Sequence, residues 1–329
     1  MIDKAYKAIF IIKIRATGRI ITKLFEVLIM LRKSKFIFLF YILFLFKDLH
    51  ATDLRNEFDN RIYSKINQLS QNLALSLADK IGQNERVKYF DISLDLQEHQ
   101  KPSFEIQSVN KISEDNDSAF FNQTNIIAHD GDTTINFGLG KRKLIKNDTV
   151  MLGSNIFVDY QIDESHLRNG LGFEAISSVF DLRGNYYNAI SGFKATDEGR
   201  EKALDGYDLQ LNYHMVGKTN TDLYLNTFEW ENPNSTFEEK GEKFGFTSQI
   251  GNLYIDLGYL NDNKNNDGFF AGVKLVVPLG DANKKKPEVL RKEALQYVSV
   301  REKLYIPVKR ENRIRVVKIS NSGVKVSGF

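Results

Sequence analysis

The chain has 329 residues, no cysteine, and 45 Lys plus Arg against 42 Asp plus Glu, for a formal net charge of +3. Without thiols there is no disulfide framework, thiolate metal site or lipidated-cysteine anchor, and the near balance of charge argues against the one-signed face of a nucleic-acid binder. Phe and Tyr are abundant (24 and 14) and Pro is scarce (5), which suits strands joined by amide-rich loops.

The first element in chain order is an export signal. Residues 30–35 (MLRKSK) form a basic segment, residues 36–46 an apolar run, and Leu49-His50-Ala51 a small-residue cleavage site. The apolar run falls short of the roughly 20 residues a spanning helix needs, so export followed by cleavage is expected. Because residues 1–29 precede the basic segment, Met30 is the expected start of translation, and residues 1–51 are assigned to an N-terminal extension and signal peptide.

Residues 52–84 are assigned to an amphipathic helix that lies in the periplasm once exported. Leu54, Phe58, Ile62, Ile66, Leu69, Leu73 and Leu77 recur at spacings of three and four, with Asp53 as N-cap and Gly82 as stop. The stripe has two candidate partners, the end of the chain's own barrel and a second copy in a homodimer.

Beyond residue 85 the period becomes two, which means β-strand. About twelve strands are predicted, over residues 86–96, 103–112, 119–128, 133–144, 149–162, 166–177, 180–191, 203–215, 221–230, 242–250, 252–260 and 268–279. In the fifth, Leu152, Ile156, Val158 and Tyr160 alternate with Gly153, Asn155, Phe157 and Asp159; in the sixth, Leu167, Leu171, Phe173 and Ala175 alternate with Arg168, Gly170, Gly172 and Glu174. The wet faces supply the candidate lumen residues Asp91, Asp95, Asp159, Arg168, Glu174, Asp208 and Asp256. Alternation alone also fits a soluble sandwich with its apolar face inward. The connections favour a membrane barrel: residues 146–148, 178–179 and 251–252 are short, whereas 192–202, 231–241 and 261–267 are long and polar, with 161–165 a short exception. Short turns on one side and long loops on the other are the outer-membrane asymmetry. Tyr160, Phe193, Tyr213, Trp230 and Tyr259, near strand ends, are candidate girdle residues. The expected fold is therefore an all-β, transmembrane antiparallel barrel over residues 85–280, with a short N-terminal helix.

Four segments in order, Asp159-Tyr160, the His-x-Arg-x-Gly-x-Gly-x-Glu strand from His166 to Glu174, Gly184-Asn185-Tyr186-Tyr187 and Gly206-Tyr207-Asp208-Leu209, resemble the translocator barrel of the intimin/invasin family, the inverse autotransporters. Glu201-Lys202-Ala203-Leu204 departs from the family's Glu-Arg-Pro-Ala by losing the proline. The resemblance implies that residues 281–329 hold a linker that runs through the lumen and a short tail. Leu304, Val308, Arg310, Asn312, Ile314 and Val316 match the family's linker pattern, with Val316 in place of Leu. Pro307, Arg313 and Arg315 lie in the same stretch, and its cations would be held by the acidic lumen. Residues 287–302 are read as helical from Leu290, Ala294, Tyr297 and Val298. Residues 319–329 are too few for an immunoglobulin-like adhesion domain of about 100 residues, so the passenger expected here is vestigial.

The expected function is an outer-membrane translocator that anchors and exports its own C-terminal segment, with outer-membrane lipid, the β-barrel assembly machinery and periplasmic chaperones as partners. The alternative is a porin-like channel or structural barrel with the tail as plug. No enzyme, cofactor or metal is expected. His50, His99, His129, His166 and His214 lack metal-pair spacing, and Gly138-Leu139-Gly140 lies within a strand with no helix after it, so it is not a phosphate cradle.

Overall fold

The computed structural model describes residues 64, 67–79, 85–196, 199–216, 220–232, 237–279, 293–320 and 323–325. The export signal, Asp53, Gly82 and residues 280–292 lie outside the described residues. Twelve antiparallel strands close into one barrel: β1 (Val87–Gln97), β2 (Ser103–Glu114), β3 (Ser118–His129), β4 (Asp132–Ile145), β5 (Val150–Gln161), β6 (Leu167–Ser177), β7 (Phe180–Ala189), β10 (Asp205–His214), β11 (Thr221–Glu231), β12 (Glu238–Ile250), β13 (Leu253–Asp262) and β14 (Gly268–Val276). Each strand pairs with its neighbour in sequence, and β1 closes on β14 with Asp95 opposite Gly272 and Asp91 opposite Val276. Closure leaves no free edge, which is what lipid demands, because hydrocarbon offers unpaired backbone groups no partner.

Alternation divides each wall as the sequence predicts. On β5, Leu152, Ile156, Val158 and Tyr160 are exposed on the outside, while Asn155, Phe157 and Asp159 are buried within. An isolated protein would not leave such a band open; hydrocarbon is the solvent that covers it. Replacing Ile156, midway along β5, by arginine is expected to destabilise the barrel by about 2–4 kcal/mol, the depth-dependent cost of a lipid-facing cation near the midplane. Urea titration in lipid vesicles would measure it, and an unchanged midpoint would reject the outward assignment of that face.

Within the barrel and the tail, three details differ from the sequence reading. Trp230 is not a girdle residue: it follows Tyr224 and Phe228 on the inner face of β11 and is 1% exposed. The connection expected as an irregular loop over 192–202 folds into β8 (Lys194–Thr196) and β9 (Gly199–Ala203), and the tail adds β15 (Val316–Ser320) and β16 (Gly323–Lys325), giving a second sheet in the order β16-β15-β9-β8. Residues 293–300 are not helical. Their backbone is drawn out instead by turn partners, with the Val298 amide donating to Ser178 Oγ and the Val300 amide to the Asp148 carbonyl.

The N-terminal helix, α1 (residues 67–79), packs on its own barrel through a small polar face. Ser70 and Ala74 are buried, while Leu69 and Leu73 of the predicted apolar stripe are exposed. Asn67 and Ser70 lie against the turn between β12 and β13, where Gly251 has φ +61° and a Cβ would collide with Asn67. Glycine is needed there for both its backbone angle and its missing side chain.

Candidate functional site

The lumen is occupied by the chain's own C-terminal segment. It enters at the end that carries the short turns, where Arg301 Nε donates to Asp148 Oδ2 at 2.9 Å and a 3-10 turn, Arg301–Tyr305, is pinned by Lys303 Nζ to the Ser177 carbonyl at 3.0 Å. Burial holds the Lys303 ammonium below the usual lysine range, and burial with a bond to Glu114 holds the Tyr305 phenol above its own. Leu304 fills an apolar socket of Ala119, Leu144, Met151, Ile176 and Val300. The segment then runs extended to the opposite end, where the Leu204 amide donates to the Arg315 carbonyl and β15 pairs with β9.

Between those ends the backbone belongs to no sheet, and every orphan N–H and C=O shielded from water is costly. Side chains of the wall take the place of a ladder. Arg142 on β4 donates to the carbonyls of Leu304 (2.9 Å) and Ile306 (2.5 Å). Gln123 on β3 accepts from the Val308 amide (2.7 Å) and donates to its carbonyl (3.3 Å). Asn185 on β7 donates to Lys309 O, Arg168 on β6 to Glu311 O and Asn136 on β4 to Asn312 O, while Tyr187 on β7 accepts from the Glu311 amide.

An extended chain sends alternate side chains to opposite sides. Val308 packs on Val109, Phe121 and Phe157, and Ile314 and Val316 on Ala203. Arg310, in the same alternation, makes a bidentate pair with Asp159 at 2.7 Å on both arms, and its guanidinium lies 4.2 Å from the Phe157 ring centre. Asp159 also accepts from Arg168 Nε (2.8 Å) and Asn136 (2.7 Å). Four donors fill the four lone-pair positions of a carboxylate, and neither Asp159 nor Arg168 is exposed at all. Asn312 donates to Glu105, and Arg315 bridges Glu239 and Glu311.

Of the predicted lumen residues, Asp159 and Arg168 touch the segment directly. Glu174 acts through Arg142, which it pairs at 2.5 Å, and Asp208 through Asn185 and Tyr187, which donate to it. Asp91, Asp95 and Asp256 sit on the far wall instead. Among the linker residues, Leu304, Val308, Arg310, Asn312, Ile314 and Arg315 are seated as described, Arg313 pairs with Glu311, and Pro307 lines a cavity. Sequence reasoning missed Gln123, Asn136, Arg142, Asn185 and Tyr187. Their common signal was position on the wet alternate of a strand, which only Arg142 also marks by charge. His166 is fully buried between Ser191 Oγ and Glu201 Oε1, each at 2.9 Å, and ties β6 to the loop beyond β7 and to β9.

A family model described as "Inverse autotransporter, beta-domain" matches residues 46–312. An attaching and effacing protein homolog from Escherichia coli (strain K12) is 32% identical over 98 residues, which cover 29% of this chain and 33% of that protein. A solved structure described under "Unveiling the Mechanism Behind the in-meso Crystallization of Membrane Proteins" superposes with TM-score 0.59 at 18% identity, over 72% of this chain and all of that one, a likeness of fold. The KdgM porin aligns with TM-score 0.42 at 8% identity over 58% of this chain and 99% of its own.

Proposed function

The chain belongs to the inverse autotransporter β-domain family, and from that premise we propose that this outer-membrane translocator barrel anchors and exports its own C-terminal segment. The observation that carries the reading is the course of residues 298–316 from the Ser178 and Asp148 turns, through the Arg142, Gln123 and Asp159 seats, to strand pairing with β9. An even barrel leaves its last strand on the side where its first began, so a tail bound for the other side must return through the lumen. In this reading the short turns and α1 are periplasmic and β15 lies at the cell surface. Outer-membrane lipid covers the apolar band, and assembly machinery inserts the barrel. Periplasmic chaperones, and a second copy docked on the outward leucines of α1, complete the proposed partners.

An epitope tag after Phe329, with a control tag in the loop between β13 and β14, tests the direction. Both tags are expected to be reached by antibody on intact cells. A shielded tail beside an accessible loop would leave the barrel in place and remove export.

A further inference from the structure

The seated segment does not fill the barrel. It lies along β3 to β7, and beside it a cavity of about 960 Å³ extends from Gln97, Gln100 and Lys101 at the loop end to Val216, Asn220 and Ser299 at the short-turn end. Its wall is built mainly by β1, β2, β7 and β10 to β14 on one side and by the linker on the other.

The two sides of the linker differ at one charge. Toward β3 to β7 its charges are matched, with Arg310 on Asp159 and Arg142 on Glu174 beneath it. Toward the cavity Lys303, Arg313 and Arg315 are matched too, by Asp181, Glu311 and Glu239, and the exception is Lys309. Lys309, one residue out of phase with Arg310, sends its side chain to the open side, and among the described residues neither it nor Lys243, Asp91 or Asp95 joins an ion pair. Asp91 is 1% exposed and out of reach of water in the cavity, whereas Asp95, four residues further along the same face of β1, is exposed to it. Asp95 and Asp256 flank Gly272, where a Cβ would collide with the Asp95 carboxylate, so the missing side chain makes room for that charge. A dry cavity would not hold uncompensated charges. Water and mobile counter-ions are the partners that a polar cavity of this size accommodates.

We propose that the half-lumen beside the seated linker is an aqueous ion passage, open while the linker stays in place, whose selectivity is set by Asp95 and Asp256 on the barrel wall against Lys309 and Lys243. The permeant class is small inorganic ions. This goes beyond export, because it assigns a conductance to the resting, loaded barrel, and a plug is what the linker then is not. Charges across a narrow low-dielectric lumen act on passing ions with little screening.

The test uses the full chain in planar bilayers under a KCl gradient, with the linker pinned by a disulfide between Arg200→Cys and Ile319→Cys. These two positions face each other across β9 and β15, and the chain has no other cysteine. Paired positions of an antiparallel ladder fall within disulfide reach. Conductance is expected to survive the cross-link. The reversal potential should move toward cations in Lys309→Gln and toward anions in Asp95→Asn. A silent cross-linked barrel, or charge variants that leave the reversal potential where it was, overturns the passage. Failure of the cross-link to form at all would strike the linker's seat and export instead, so the two ideas fail separately.

Discussion

Replacing Asp159 by alanine is expected to cost about 3–5 kcal/mol and to loosen the C-terminal segment from the lumen, the penalty for leaving a buried pair with one partner missing. Two guanidiniums depend on that carboxylate. Arg310 loses both arms of its bidentate pair, and Arg168 loses the acceptor of its Nε while still tied to the Glu311 carbonyl. Neither can turn to water, since Asp159, Arg168 and the Arg310 side chain are all at most 1% exposed. The released segment should become a substrate for added protease in detergent-solubilised protein while the barrel resists. Changing Arg310 to methionine in the same chain should recover part of the loss, because it removes one of the two stranded cations. Protease resistance equal to that of the parent in the Asp159→Ala protein would show that this cluster does not hold the linker.

Removing residues 301–329 is expected to act in the opposite way on the barrel and more strongly on the pore. Conductance should rise severalfold over the intact chain, because the space now taken by residues 301–316 joins the cavity beside it. The barrel itself should remain folded. Arg142 keeps Glu174 and Arg168 keeps Asp159, and the donors that served the linker backbone exchange it for water at small net cost. What is lost is packing, at about 1.5–3 kcal/mol for each of the buried side chains such as Leu304 and Val308. Single-channel recordings with a heat-modifiability gel as the folding control would report both. A folded truncation that conducts no better than the intact chain would mean that the linker does not occupy the conducting cross-section.

The two changes together explain why the lumen is built of amides and guanidiniums and not of apolar side chains. An extended segment crossing a barrel has no strand partner over residues 306–315, so the wall must provide long donors that reach out to it. Arg142 serves two carbonyls, and Gln123 serves both backbone groups of one residue. Glycines on the same face leave room for aromatic rings to lie flat on the wall: a Cβ on Gly138 or Gly140 would strike Phe157 or Phe121. The glycine pair within β4 thus shapes the seat of Val308 and Arg310, which pack on those rings.

The barrel was legible in the sequence because period-two alternation is a local property: each strand carries its own outward apolar set and inward polar set, and the short turns and long loops alternate along the chain. The number of strands, the lipid-facing residues and the linker follow from order along the chain and from the resemblance of the linker residues. Trp230 shows the limit. Its proximity to a strand end suggested an interface, whereas its phase with Phe228 put it inside, so phase outweighed position. The helix shows another limit, since Leu69 and Leu73 have helical spacing but Ser70 and Ala74 make the contact.

The sequence by itself determined that this chain closes into an outer-membrane barrel and which face of each strand meets lipid, because alternation sorts the two faces and the short turns opposite long loops, with the family motifs, select a closed barrel over a sandwich. Only the tertiary structure decided that the linker lies along β3 to β7, that Asp159 rather than Asp91, Asp95 or Asp256 receives Arg310, and that the far wall stays open. Those choices depend on the register between strands and on which side chains converge across the lumen, relations that no single segment of the chain contains.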